Sequence, residues 1–229
     1  MSNGIHIIKR NGSKEPININ KIHKVVMHAC EGLAGVSASQ IEMNANLQFY
    51  DGMSSDEIQE IMVRSANDLI SLDNPNYQYA AARLLTYGLY KQVFGGCLAV
   101  PFLDIIKNNI ESGLDDPAIL DAYAEEEIGS LDAYIKRRRD ENFTYAGVRQ
   151  VVDKYLVQDR SSGEIFETPQ FMYMMIAATL FHNYPKETRM HYVRRYYDAT
   201  SLFKVNIPTP VMAGVRTPIR QFASCVLVD

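Results

Sequence analysis

The side chain in this sequence that could most directly take part in a reaction is the thiol of Cys225. It stands at the start of an apolar run near the last residues. The segment before it is rich in proline and glycine, and it also carries the hydroxyl side chains of Thr209 and Ser224. A loop of this composition that leads into a buried strand is a common way to hold a small anion beside a reactive group. The pattern indicates an anion site next to a thiol, and a buried strand cysteine without function is the alternative.

The other two cysteines, Cys30 and Cys97, are far from each other and from Cys225. An odd number of cysteines at such spacings argues against a disulfide framework and against a zinc site. Cys30 also falls on the apolar stripe of a predicted helix, where an inert core residue is expected. We therefore predict no metal site.

Composition and charge exclude several classes of protein. The net charge of −4 and the scattered basic residues give no reason to expect nucleic-acid binding. No apolar run is long enough to span a bilayer, and the first residues lack the apolar core of a signal peptide. We therefore expect a cytoplasmic globular protein without a membrane partner.

The sequence pattern of residues 1–95 predicts a small domain made of a β-hairpin and four helices. Two short strand-like runs flank Asn11-Gly12, which is a strong hairpin signal. Apolar stripes at helical spacing follow, and Gly95 closes the last helix. Each of the first three helices has a polar residue that can cap it: Asn18 or Asn20, then Ser37, then Ser54 or Ser55.

Residues 96–222 predict a second domain that is mainly helical. Residues 155–166 carry a polar turn between apolar arms, which indicates a second hairpin. The helix that begins at residues 167–170 is apolar almost all round, so we expect it at the centre of this domain. The acidic run at 125–127 and the basic run at 136–139 are interpreted as exposed helix faces, with a subunit contact as the alternative.

The segment around Cys225 resembles the start of the catalytic barrel in the large subunit of class I ribonucleotide reductases. Three runs stand in the family's order and spacing: Pro208-Thr209-Pro210, Arg216-Thr217-Pro218 and Gln221-Phe222-Ala223-Ser224-Cys225. The resemblance covers essentially the whole chain but only the amino-terminal third of the family's proteins. It implies that residues 223–229 are the first strand of a truncated α/β barrel, so that the chain alone is inactive.

Residues 1–95 resemble the ATP-cone, a regulatory nucleotide-binding module at the front of many ribonucleotide reductases. The fold class implied is mainly α: a four-helix bundle capped by a short β-hairpin, followed by the helical amino-terminal domain of the large subunit. The resemblance implies that ATP activates and dATP inhibits, with Mg²⁺ accompanying the nucleotide. The implied site residues are Lys9, Arg10, Glu15, Pro16, Ile17, Asn18, Ile19, Asn20, Lys21, Ser55 and Lys91.

The resemblance implies that the cations of this set, Lys9, Lys91, Arg10 and Lys21, meet the phosphates. Glu15 and Asn18, with neighbouring backbone, would bind the adenine and ribose. Lysines that converge from separate elements, beside a hydroxyl at a helix N-terminus, form a triphosphate site. From spacing alone, a solvated face of lysines is the alternative. Two positions depart from the family, since Gln59 and Gly88 stand where close relatives often carry histidine. These departures bear on affinity and on discrimination between ATP and dATP.

Ribonucleotide reduction replaces a 2′-hydroxyl group by hydrogen, and a cysteine pair can supply the two electrons by closing to a disulfide. The resemblance implies that Cys225 is one member of that pair and protonates the departing hydroxyl. It places Thr209 near the substrate phosphates and Ser224 against the substrate. The second cysteine, the radical cysteine and the groups that assist them are implied beyond Asp229.

The function implied is that of the large-subunit portion of a ribonucleoside-diphosphate reductase. The implied partners are a small subunit that holds the radical cofactor, thioredoxin or glutaredoxin as reductant, the missing barrel portion and a second large subunit; no covalently bound cofactor is expected. Two alternatives stay open: a stand-alone module that senses ATP and dATP, and a helical interaction domain without a ligand. The Cys225 segment favours the reductase, because neither alternative has a use for it.

Overall fold

The computed structural model describes residues 4–96, 100–219 and 222–223. Its described part is mainly helical, as the sequence predicts, with a small sheet near the start. The chain divides into two compact units, one that runs to Gly88 and includes Glu141–Arg149, and one formed by Leu89–Asp140 and the chain from Gln150 onward. The domain boundaries drawn from the sequence stay predictions. Of the predicted barrel strand, residues 224–229 lie outside the described residues.

The first unit combines a small sheet with a group of helices. Its elements are β1 (His6–Ile8), β2 (Lys14–Pro16), α1 (Ile19–Cys30), α2 (Ala38–Asn46), β3 (Met53–Ser54), α3 (Ser55–Asn67) and the greater part of α4 (Tyr77–Phe94). The predicted hairpin is present, with Ile7 of β1 opposite Glu15 of β2. The sequence did not predict β3, which pairs in parallel with β1 and places Met53 opposite Ile7. A strand of two residues is too short to show an alternating pattern.

The caps and the core of the first unit follow from local sequence. The side-chain oxygen of Asn18 accepts from the Lys21 backbone N–H at 2.9 Å and so begins α1. Ser54 forms a capping box with Glu57 at the start of α3. The core is made by apolar residues from the four helices and the sheet: Val26, Ile41, Met53, Val63, Ala80, Ala81 and Leu84.

The second unit is built around one helix that is buried on all sides. Its described elements are the end of α4, α5 (Phe102–Glu111), α6 (Ala118–Ala122), α7 (Glu125–Tyr134), a 3₁₀ helix (Arg137–Asn142), the later part of α8 (Tyr145–Lys154), α9 (Pro169–Phe181), α10 (Lys186–Ser201) and α11 (Thr209–Gly214). Each residue of α9 from Pro169 to Ala178 is buried, and α9 packs against both α10 and α11. The prediction of a central apolar helix is confirmed.

The charged runs are not simply exposed faces, and this interpretation is wrong for several of their residues. Arg137 of the basic run places its guanidinium over the rings of Phe94 and Phe171, at 5.9 and 5.4 Å from the centroids. Glu127 of the acidic run accepts from Arg189 Nε at 3.2 Å, and Arg189 is buried. Long charged side chains cover apolar surface while they pair, which a charge count alone does not reveal.

Two segments of the second unit differ from their predictions. The hairpin predicted at residues 155–166 contains one β-bridge, between Gln158 and Ile165, around a turn held by Asp159. The breaker-rich segment predicted as a loop contains the short helix α11. Pro210 lies in the first turn of that helix, where proline is tolerated because no intrahelical partner is needed for its missing N–H.

Candidate functional site

The predicted phosphate-binding cations of the hairpin lie beside the start of α3. Lys9 Nζ is 3.1 Å from Glu15 Oε1 across the hairpin. Arg10 donates to Asp56 Oδ1 from Nε at 2.9 Å and contacts the same atom through Nη2 at 2.7 Å. Asp56 is the second residue of α3, so this ion pair brings the hairpin turn to the N-terminus of that helix. The structure therefore brings Lys9, Arg10 and Ser55 into one region.

The hydroxyl of Ser55 is not the cap of α3. Ser54 takes that role, because its Oγ accepts from the Glu57 N–H at 3.1 Å and its own N–H donates to Glu57 Oε2 at 2.7 Å. This resolves the choice between Ser54 and Ser55 that the sequence left open. Ser55 follows as the first residue of the helix, where the helix dipole favours negative charge. A triphosphate is one anion that such a position suits.

The predicted residues 15–21 form a continuous strip from β2 into the first turn of α1. Glu15 and Pro16 belong to β2, and the Ile17 N–H donates to the Ile5 carbonyl at 2.9 Å. Asn18 uses its side-chain oxygen as the helix cap, as described above. Three further members of the set, Ile19, Asn20 and Lys21, are exposed on the first turn of α1. The cap fixes the end of the strip, because it satisfies one of the N-terminal amides of α1, that of Lys21.

Lys91 lies in the last turns of α4, in the part of that helix that belongs to the second unit. It is half-buried and interacts with a neighbouring group. Its place in a nucleotide site stays a prediction.

Gln59 and Gly88, the two departures from the family pattern, occupy one contact within the first unit. Gln59 Nε2 donates to the Leu84 carbonyl at 2.7 Å, so its side chain lies across α4. A Cβ atom built on Gly88 would be 2.8 Å from Gln59 Cγ. The glutamine therefore fills the space that a side chain at position 88 would need, and the two departures depend on each other.

Because of this contact, we expect the effect of Gly88→Ala on stability to change sign when Gln59 is replaced by alanine. Gly88→Ala should lower the free energy of unfolding by about 1 kcal/mol, because overpacking costs more than the helix propensity gained. In a Gln59→Ala background the same change should raise it by a few tenths of a kcal/mol or more. Urea unfolding of the four chains measures this coupling. Gly129→Ala is a matched control, since that helical glycine of α7 has open space around it; equal effects at positions 88 and 129 would refute the contact.

Of the three residues predicted to form the substrate and redox site, Thr209 is the one that the structure describes. Thr209 is exposed at the start of α11, and its Oγ1 is 3.2 Å from the Tyr155 hydroxyl. The predicted catalytic Cys225 and the predicted substrate contact Ser224 lie outside the described residues, and their roles stay predictions.

Sequence reasoning missed a buried ion pair next to Thr209. Arg216 is 0% exposed and Glu167 is 2% exposed at their side chains. Arg216 Nε donates to Glu167 Oε2 at 3.1 Å, and Nη2 donates to Glu167 Oε1 as well. The same Nη2 donates to the Tyr155 carbonyl at 2.7 Å. The only local signal is a glutamate at the entrance of a strongly apolar helix, which has no solvated face to receive it.

A buried carboxyl lies near this ion pair. Asp115 is 2% exposed, and its Oδ2 accepts from Asn109 Nδ2 at 3.1 Å. Its Oδ1 has no hydrogen-bond partner among the described residues. Burial raises the pKa of Asp115 to about 7, the negative charge of Glu167 raises it too, and the positive charge of Arg216 opposes both.

Two further properties concern the described residues as a whole. Within residues 4–96, 100–219 and 222–223, no helix has the length and apolar character needed to cross a membrane. Within the same ranges, no group of three or more His, Cys, Asp and Glu side chains is placed to hold a metal ion. Cys30 is half-buried, and burial raises the pKa of its thiol to about 11, which makes it unreactive at neutral pH.

Comparison with known families defines both parts of the chain. The family model of the ATP cone domain matches residues 5–92. The model described as ribonucleotide reductase, all-alpha domain, matches residues 141–220. A match to the ATP cone domain is thus followed along the chain by a match to the reductase all-alpha domain, and the predicted fold class is confirmed.

Curated relatives are similar to the whole of this chain. The chain is 48% identical over 229 residues to the ribonucleoside-diphosphate reductase subunit alpha of Haemophilus influenzae and to the ribonucleoside-diphosphate reductase 1 subunit alpha of Escherichia coli. It is 42% identical over 227 residues to the subunit alpha of Enterobacteria phage T4. These matches cover 98–100% of this chain but about 30% of each relative. The chain is similar over its whole length to ribonucleoside-diphosphate reductase alpha subunits, and it spans about 30% of their length.

Proposed function

We propose that this chain is the large-subunit portion of a ribonucleoside-diphosphate reductase with a regulatory ATP/dATP site in its cone. The observation that carries the proposal is the match of all 229 residues to reductase alpha subunits at 48% identity. The reaction proposed for the complete subunit converts ribonucleoside diphosphates to 2′-deoxyribonucleoside diphosphates for DNA synthesis. ATP would activate it and dATP would inhibit it.

The regulatory site is proposed at the hairpin and the N-terminus of α3. In the structure, Lys9 and Arg10 are paired with the carboxylates of Glu15 and Asp56. These pairs are largely exposed, so they contribute little to stability and can exchange partners. The phosphates of ATP or dATP, accompanied by Mg²⁺, would take over the two cations and the Ser55 hydroxyl. Lys21 and Lys91 complete the proposed set of phosphate ligands.

The redox chemistry is proposed for Cys225 on the basis of the family match. Two thiols that close to a disulfide release two electrons and two protons, while the substrate 2′-hydroxyl leaves as water. Thr209 and Ser224 would hold the substrate. The proposed partners are a small subunit that carries the radical cofactor, thioredoxin or glutaredoxin to reopen the disulfide, and a second large subunit.

Calorimetric titration of the chain with ATP and with dATP tests the function that its own described residues can carry. We expect saturable binding by the wild-type chain. Lys9→Ala should bind the nucleotide at least about tenfold more weakly, because a charge-assisted phosphate contact is lost. Lys14→Ala is the matched control. It removes the same charge from the same hairpin, but Lys14 Nζ lies 3.8 Å from Asp51 Oδ2 and is not a predicted ligand.

The outcomes separate the alternatives. Binding lost equally in both variants would indicate attraction by net charge and not a built site. A folded wild-type chain that binds neither nucleotide would overturn the regulatory cone and favour an interaction domain without a ligand.

A further inference from the structure

The phenol of Tyr155 lies against the hydroxyl that the proposed function places at the substrate phosphates. Tyr155 Oη is 3.2 Å from Thr209 Oγ1. Tyr155 itself is 9% exposed, whereas Thr209 is exposed. One side of the Thr209 hydroxyl is therefore held by the protein, and the other side is open to a ligand.

The donors and acceptors around this contact have a favoured direction. Gln150 Nε2 donates to Tyr155 Oη at 3.4 Å, and an amide NH₂ group can only donate. The phenol oxygen accepts from Gln150, and its own proton can be donated to Thr209 Oγ1. Thr209 is then free to donate its own proton outward, and successive hydrogen bonds in one direction strengthen each other. An oxyanion such as a phosphate oxygen is the acceptor that suits this chain of donors.

The same tyrosine is anchored through its backbone. Its carbonyl accepts from Arg216 Nη2 at 2.7 Å, and Arg216 Nη1 also donates to the Met212 carbonyl in α11. Arg216 is itself fixed by Glu167. Helix α11 is consequently held at Met212 by Arg216 and at Thr209 by Tyr155, and both contacts lead back to one buried guanidinium.

We infer that Tyr155 is a positioning residue for substrate binding, which acts by orienting the Thr209 hydroxyl toward the diphosphate of a ribonucleoside diphosphate. The inference rests on the proposed function, which supplies the substrate. Tyr155 contacts Thr209 and not the reacting atoms, so its loss weakens binding of the diphosphate and leaves the chemical step intact.

The test measures reduction of CDP by a complete large subunit that carries these residues, combined with its small subunit. Tyr155→Phe removes the hydroxyl and keeps the ring and the carbonyl that Arg216 holds. We expect KM for CDP to rise about three- to tenfold, the range of one hydrogen bond, with kcat changed less than about twofold. Because Tyr155 acts through Thr209, Tyr155→Phe should add nothing further to the effect of Thr209→Val.

Tyr123→Phe is the matched control. Tyr123 is also buried in the second unit, and its hydroxyl donates to the Ala178 carbonyl at 2.9 Å. This variant loses a buried hydrogen bond away from Thr209, so it should lower stability while KM stays unchanged. An unchanged KM for Tyr155→Phe, or effects of Tyr155→Phe and Thr209→Val that add, would overturn the inference.

A second measurement separates failure of the inference from failure of the proposed function. A wild-type complete subunit that reduces no ribonucleotide would refute the proposed function alone. Hydrogen exchange of the 229-residue chain then decides the positioning role. The α11 amides of Met212 and Val215 should exchange faster in Tyr155→Phe than in the wild type and in Tyr123→Phe. Equal exchange in all three chains would show that the phenol does not hold α11.

Discussion

Arg216→Met is expected to lower the free energy of unfolding of the second unit by about 3–5 kcal/mol, because it leaves a buried carboxylate without its cation. Glu167 is 2% exposed at its side chain and accepts from Arg216 and from the Val157 N–H, at 2.7 Å for the latter. The arginine also donates to the carbonyl oxygens of Tyr155 and Met212, which methionine cannot replace. Urea unfolding followed by circular dichroism measures the loss as a shift in midpoint.

Two comparisons isolate the buried charge as the cause. Glu167→Gln introduced into the Arg216→Met chain should regain part of the lost stability, because the unpaired charge is removed. Arg160→Met is the matched control, since Arg160 is exposed and donates to the carbonyls of Asp153 and Lys154, at 3.3 and 3.4 Å. That control should change stability by no more than about 0.5 kcal/mol. A loss at position 216 no larger than at position 160 would contradict the assignment.

The helices were predictable from the sequence because their signals are local. The cap at Asn18 and the capping box at Ser54 lie within three residues of the amides they satisfy. The apolar character of α9 likewise shows within the helix itself. β3 and α11 have no such signal. The pairing of β3 with β1 joins Met53 to Ile7 across the fold, and α11 lies in a segment whose prolines are more typical of loops.

For the candidate sites too, some features were predictable from the sequence and others were not. Family resemblance predicts the site residues Lys9, Arg10 and Thr209 and the strip of residues 15–21. It does not predict which side chains these residues contact. Arg10 and Asp56 are 46 residues apart, and Arg216 and Glu167 are 49 residues apart. An ion pair at such separation leaves no periodicity in the sequence, so only the folded chain reveals it. Arg216 belongs to one of the runs that carry the family resemblance, and the structure shows that its side chain forms a buried ion pair with Glu167.

The second large effect concerns pH. The second unit should lose stability as the pH rises from about 4 to about 8, because Asp115 is easier to keep protonated when folded than when unfolded. Burial and the nearby charge of Glu167 raise its pKa to about 7, against 3.8 as its ordinary value. A group whose pKa is raised on folding adds stability that is fully present below the unfolded pKa and is lost as the pH passes the folded pKa.

The size of this effect follows from the two pKa values. They differ by about 3 units, and each unit corresponds to about 1.36 kcal/mol, so the full loss is on the order of 4 kcal/mol. Asp115 is 2% exposed, so solvent screens this effect little. The groups that set the pKa are Asn109, which donates to one carboxyl oxygen, and the Glu167 and Arg216 pair. Because Arg216 lowers the pKa, Arg216→Met should move the pH at which stability is lost to a higher value.

Unfolding free energies measured at several values of pH between 4 and 8 test this prediction. Asp115→Asn keeps the shape of the side chain and cannot ionise, so it should flatten the dependence and stabilise the chain above pH 7. Asp121→Asn is the matched control, since Asp121 is exposed on α6 and should leave the slope unchanged. If Asp115→Asn preserved the wild-type slope, another group would have to bind the proton. If it destabilised the chain at every pH, the carboxylate itself would be required, and the buried cluster would need its negative charge to balance Arg216.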